Sequence, residues 1–155
     1  MKKARAFVLR PGEGRYIDLG GFHMSVKAAD DDTAGAFSLL EAAEPPHFGP
    51  PLHTHVNAAE AFYVLEGEYR MFIEGEEFSC PAGSFIYIPP NVIHGFRVGP
   101  VPSRKLNLYA PTAMIGYFDE LSAALQRGEP DETALAAIAT QYGMVIRGPI
   151  PEGYV

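Results

Sequence analysis

The sequence predicts an all-β barrel carrying two C-terminal helices, and three observations lead there. Short strand-like runs recur along the chain, glycine and proline punctuate them, and helical spacing of apolar residues begins only after Pro111. The 155 residues include 16 Gly and 14 Pro, spread along the chain rather than gathered in a linker, which reads as turns between many short strands. With 47% apolar and 20% charged residues, a chain of this length can bury one full hydrophobic core. A single domain over 1–155 is therefore expected, the barrel at about 5–110 and the helical extension at about 111–145.

Strand candidates open at 5–9, 15–19, 22–28 and 34–42, separated by Pro11-Gly12, Gly20-Gly21 and the acidic run Asp30-Asp31-Asp32. The stretch Pro45-Pro46-His47-Phe48-Gly49-Pro50-Pro51 excludes helix and central strand, because its prolines lack amide donors and fix φ. It forms a rigid loop leading into His53. Strand signals then fall at 61–65, 69–73, 77–80, 84–88, 93–98 and 105–109. The first four end at Gly67, Glu74-Gly75, Pro81-Ala82-Gly83 and Pro89-Pro90-Asn91. Beyond Pro111, Met114, Phe118, Leu121 and Leu125 recur at helical spacing, with Thr112 as N-cap and Gly128 as stop. A second helix is expected from Asp131, burying Leu135, Ile138, Ala139 and Tyr142 before Gly143; residues 146–155 read as extended.

The net charge of −7 and the lack of basic clusters argue against nucleic acid and membrane as partners. Lys2, Lys3 and Arg5 precede an apolar run of only 6–9, too short for a signal-peptide core, and no segment approaches the length of a membrane span. Cys80 is a lone cysteine and forms no internal disulfide, so a reducing cytoplasm is the expected location.

Chemistry gathers around His53-Thr54-His55. In an extended segment alternate side chains share a face, so both imidazoles project together and can share a metal ion. Such a triplet also arises by chance. Glu60 follows at the start of the next strand, where a short loop can bring its carboxylate to the same point. His94 begins another strand, with Phe96 and Val98 on its face. Three imidazoles and a carboxylate suit divalent Fe, Mn, Ni, Co, Cu or Zn without deciding among them. On a six-coordinate ion they leave two positions for substrate and O₂ or water. Phe62 and Val64 share the Glu60 face, Phe96 lies near His94, and Phe48 sits in the preceding loop. These four are candidate walls of an aromatic-substrate pocket, or else fill the barrel core. His47 reads as a surface-loop residue. Tyr63, Tyr69, Tyr87 and Arg70 are open candidates for hydrogen bonds behind the ligands.

With His53, His55, Glu60 and Gly67 in the register of one conserved motif, and Gly83, Pro89 and His94 in that of a second, the sequence resembles the cupin superfamily. The pattern departs at His47 and Asn91, which stand where glycine is usual, and at Val98, which replaces an asparagine; no metal ligand is lost. The resemblance implies a cupin-type barrel (a double-stranded β-helix or jelly roll). Its C-terminal half, with Tyr142-Gly143-Met144 and Gly148-Pro149, is similar to bacterial quercetin 2,3-dioxygenase-type cupins. That likeness implies a metal-dependent dioxygenase in which Glu60 ligates the metal and accepts a proton from a flavonol or related enolisable or phenolic substrate. A non-redox polyketide cyclase or isomerase, and a cupin that binds a small molecule without turnover, are the alternatives. Small cupins commonly pair through N-terminal strands, so a homodimer is expected.

Overall fold

The computed structural model describes residues 3–151 and folds them into two antiparallel sheets with helices at one end. In chain order the strands are β1 Arg15–Asp18, β2 His23–Ala28, β3 Ser38–Glu44, β4 Leu52–His55, β5 Ala59–Glu66 and β6 Glu68–Ile73. They continue as β7 Glu76–Pro81, β8 Phe85–Ile88, β9 His94–Val98, β10 Ser103–Ala110 and β11 Met144–Gly148. A single turn, α1 Asp30–Thr33, lies between β2 and β3; α2 Ile115–Arg127 and α3 Glu132–Gln141 separate β10 from β11. One sheet runs β1-β2-β3-β10-β5-β8, the other β11-β4-β9-β6-β7. This is the jelly-roll barrel with C-terminal helices that the strand and turn pattern predicts.

Turn residues behave as their chemistry requires. Gly67 alone separates β5 from β6 and takes φ +73°, and Asn91 ends the Pro89-Pro90 turn at φ 67°, a left-handed value that asparagine tolerates. The amide of Asn91 donates to the carbonyl of His55 at 2.8 Å, tying that turn to β4. His47 also takes a left-handed φ of 67° and is exposed, as a surface-loop residue should be.

Three expectations need correction. Residues 5–9 form no strand; they are exposed and pair with nothing in either sheet among the described residues. The run Asp30-Asp31-Asp32 forms α1 rather than a plain turn, because the Asp32 carboxylate caps the Ala29 amide at 2.8 Å. The N-cap of α2 is Met114, not Thr112, since helical backbone begins only at Ile115. The tail is extended at its start, as expected, and β11 returns to the second sheet, pairing Met144 with His55, Val145 with Thr54 and Ile146 with His53. The C-terminal part of the expected extended run, 152–155, lies outside the described residues.

Helix α2 is clamped to the barrel, and α3 is tied to α2. Arg15 donates two hydrogen bonds to the Asp119 carboxylate at 2.7 and 3.0 Å, the Ser122 hydroxyl donates to the Asp18 carbonyl, and Tyr142 donates to Glu120 at 2.8 Å. The α3 N-cap falls at Asp131 as its sequence indicates, the carboxylate accepting from the Ala134 amide at 2.8 Å. Of the residues expected to bury along α3, Ala139 is fully enclosed and Leu135, Ile138 and Tyr142 are half-buried. One apolar cluster forms beneath the helices, around Leu40, Tyr109, Met114 and Phe118. A second fills the other end of the barrel, around Phe62, Val64, Met71 and Val98.

Candidate metal centre

Between the two clusters the sheets present polar side chains to each other. His53 and His55 project from β4 and His94 from β9 of one sheet, while Glu60 projects from β5 of the other. His53 and His94 are direct cross-strand partners, so their rings meet with centroids 4.4 Å apart. His55 sits two residues along the same face, 4.9 Å from the His53 ring. One ligating atom from each of the four residues lies within 4.8 Å of all the others, and all four side chains are buried. The loop 56–58 thus does what the spacing suggests, carrying the chain from one sheet to the other so that Glu60 faces the histidines.

Hydrogen bonds prepare the donor atoms. His53 Nδ1 is 2.8 Å from the Pro51 carbonyl and His94 Nδ1 is 2.9 Å from the Val92 carbonyl. A carbonyl can only accept, so both Nδ1 atoms carry a proton, which in a neutral ring leaves the Nε2 lone pair for a cation. His55 Nε2 is 2.9 Å from Glu60 Oε2 but lacks hydrogen-bond alignment, leaving a buried nitrogen without a hydrogen-bond partner. His94 Nε2 reaches the same Oε2 at 2.9 Å. Burial alone would raise the Glu60 pKa, but His55 and His94 hold it well below the usual carboxylate range, so the carboxylate is ionised. His53 is pushed down to about 4, by burial first and by the charge of His94 next, so it is neutral near pH 7. An ionised carboxylate, a neutral His53 imidazole and an unpartnered inward nitrogen on His55 are donors suited to a divalent transition-metal ion. The group could hold one, and nothing in the donor set selects which.

A cavity of about 400 Å³ opens beside these residues. Phe48, Phe62 and Phe96 line it. Val64 does not: it shares the strand face of Glu60 and Phe62 but lies deeper, 1% exposed, within the apolar cluster at the far end. Leu121 and Leu125, which the helical stripe of α2 marks as core, are only half-buried because they form the helical wall of the cavity. Tyr69 donates to Glu44, which is not one of the four candidate ligands, at 2.9 Å, whereas Tyr63 and Tyr87 are exposed and Arg70 pairs with Glu77 at 3.2 Å. Cys80 is buried and unpaired, with its thiol pKa raised by burial.

Four polar residues of this cavity escape a reading of the sequence: Glu44, Lys105, Asn107 and Tyr109. Asn107 Nδ2 donates to Glu60 Oε1 at 3.4 Å, and its Oδ1 accepts from Lys105 Nζ at 2.9 Å. Lys105 also pairs with Glu44 at 2.9 Å. The Tyr109 ring stands edge-on to His55 at 5.4 Å, and burial, reinforced by the charge of Glu60, raises its phenol pKa well above the usual value. The available signal was the alternation Lys105-Leu106-Asn107-Leu108-Tyr109, which marks a strand without saying which face turns inward.

A two-sheet barrel with three buried histidines and one carboxylate at an apolar cavity could hold a metal ion beside a small molecule. The Cupin domain profile matches residues 40–104, from β3 into β10. Quercetin 2,3-dioxygenase of Bacillus subtilis is 28% identical over 115 residues, which is 74% of this chain and 34% of that protein; the chain spans about a third of that relative's length. Among solved structures, KdgF from Halomonas sp. superposes with a TM-score of 0.62 at 18% identity, covering 69% of this chain and 94% of that one. The polyketide cyclase RemF from Streptomyces resistomycificus gives 0.58 at 24% identity, covering 69% and 80%. Residues 40–104 thus match a cupin domain, and the chain shares the fold of these solved structures.

Proposed function

We propose that this cupin is a metal-dependent dioxygenase that cleaves a flavonol, or a related small enolisable or phenolic compound, with O₂. One observation carries the reading: an ionised, buried carboxylate, Glu60, is held among three histidines at the wall of a cavity lined by Phe48, Phe62 and Phe96. The likeness to the Bacillus subtilis quercetin 2,3-dioxygenase supports the reaction class. In this reading His53, His55, Glu60 and His94 hold the metal, which when bound acidifies a substrate enol and supplies the open positions for substrate and O₂. Glu60 Oε2, which touches His55 and His94, accepts the substrate proton, and Asn107 keeps Oε1 oriented. The aromatic walls bind a flat ring system and exclude water from it.

The test is O₂ uptake with a flavonol by metal-reconstituted protein, with Glu60→Gln as the diagnostic variant. Gln should abolish turnover while some metal stays bound; unchanged turnover refutes the proton-accepting role. Product formed without O₂ uptake would point to the metal-assisted cyclase or isomerase instead. Tight ligand binding without turnover in any metal form would point to a binding role.

In the same reading, residues 1–155 make one domain working in the cytoplasm. None of the described helices is long and apolar enough to cross a membrane. The chain pairs as a homodimer through its N-terminal segment, where Phe7, Val8 and Leu9 are exposed and precede the edge strand β1 in the chain. Light scattering at monomer mass would refute the pairing.

A further inference from the structure

Along the inward face of β10, Lys105, Asn107 and Tyr109 alternate with Leu106 and Leu108, so a polar row runs through an otherwise apolar cavity. At one end is the Glu60 carboxylate, reached through Asn107. At the other is the Lys105 ammonium, on a side chain 1% exposed yet lining the cavity. An ammonium carries three N–H donors and no acceptor. Two are engaged, by the Glu44 carboxylate and by Asn107 Oδ1, each at 2.9 Å. Around the rest of Nζ stand ring faces, with centroids at 4.5 Å for Phe96, 5.2 Å for Phe62 and 5.4 Å for Tyr69. Rings steady the charge but do not use the remaining donor as an oxygen would.

A buried ion pair is often no more stabilising than apolar residues of the same volume, because both groups must be stripped of water. We propose that Lys105 is a specificity-determining residue whose free N–H takes an oxygen of the substrate remote from the group presented at Glu60. This rests on the reading of the cavity as the substrate site and narrows the substrate class. The ligand is a flat aromatic molecule with an oxygen function at each end, a hydroxyl, carbonyl or single carboxylate facing Lys105. Glu44 offsets the ammonium charge and is itself held by the Tyr69 hydroxyl at 2.9 Å, so a phosphate or other multiply charged group is disfavoured. Asn107 belongs to the same device. Because its Oδ1 faces Lys105, its Nδ2 must face Glu60, so one amide orients both ends of the row.

The experiment is calorimetric titration of metal-loaded protein with two probe pairs. 3,4′-Dihydroxyflavone and 3-hydroxyflavone share one chelating end, as do 6-hydroxy-2-naphthoate and 2-naphthoate; within each pair only the remote hydroxyl differs. Wild type should prefer the hydroxylated member by about tenfold or more, the usual worth of a hydrogen bond to a charged donor. Lys105→Met should abolish that preference while leaving affinity for the unhydroxylated member within about threefold. Since Lys105→Met strands the Glu44 carboxylate, the double variant Lys105→Met/Glu44→Gln is measured beside it and should behave alike. Glu44→Gln alone keeps the ammonium and should keep the preference; if it loses it, the ion pair is a packing device and the proposal fails. A preference that survives Lys105→Met, or wild type showing none in either pair, also overturns it. If flavonols fail to bind while the naphthoate pair responds as described, the flavonol reading falls and the role of Lys105 stands.

Discussion

Asn107→Leu tests whether the polar row supports the metal centre. Leucine closely matches the volume but removes both polar contacts. Lys105 Nζ then loses an acceptor at 2.9 Å and Glu60 Oε1 loses a donor at 3.4 Å, with all three residues buried. A buried hydrogen bond to a charged group is worth about 1.5–3 kcal/mol, and the longer bond to Glu60 adds roughly 1 kcal/mol. The expected loss is about 3 kcal/mol, a large share of the roughly 5–15 kcal/mol that stabilises an ordinary domain. With a urea dependence of about 2 kcal/mol per molar, the unfolding midpoint of metal-free protein should drop by about 1.5 M. Freed from its donor, the Glu60 carboxylate should also hold metal about tenfold to a hundredfold more weakly, as when other outer partners of metal ligands are removed. Urea melts of the metal-free protein and competitive chelator titration measure the two effects separately. A midpoint shift under about 0.5 M together with unchanged metal affinity would show that Asn107 supports neither the fold nor the centre.

Two further outcomes are expected. His53 stays neutral in the folded protein down to about pH 4, whereas the unfolded chain takes up that proton near the usual histidine value of about 6.5. The unfolded state therefore binds more protons in that window, so metal-free protein should lose up to roughly 1.4 kcal/mol per pH unit as pH falls through it. His94 works in the opposite sense: burial lowers its pKa, but Glu60 outweighs burial and raises it, so its contribution is present below about 6.5 and fades as pH rises. Urea melts across the acid range should show a shallower acid-side loss for His53→Asn than for wild type; parallel curves would contradict this. Gly67→Ala should destabilise by about 3 kcal/mol or more, because alanine resists a φ of +73° and its Cβ would lie 2.7 Å from Ser103 Cβ and 2.9 Å from the Pro102 carbonyl. Thermal melting checks it, and a melting point within two or three degrees of wild type would count against it.

Much of this protein follows from residue order alone. Gly67, Pro89 and Asn91 place turns because φ is a local property, and Asp131 starts a helix because capping reaches only three residues ahead. His53 and His55 share a face wherever the chain is extended, and their spacing to Glu60 and His94 matches a known motif, so the candidate ligands were legible before any fold was known. What lies across the barrel was not. The inward turn of Lys105 and Asn107 depends on β10 pairing with β3 on one side and β5 on the other, and a one-residue slip would have pointed Leu106 and Leu108 inward instead. Nor does sequence indicate that Met144 and Ile146 pair with the metal-ligand strand, since that contact spans about 90 residues and both helices. Local physics determined the elements and the candidate ligands; only the register of distant strands decided that a buried lysine faces the same cavity.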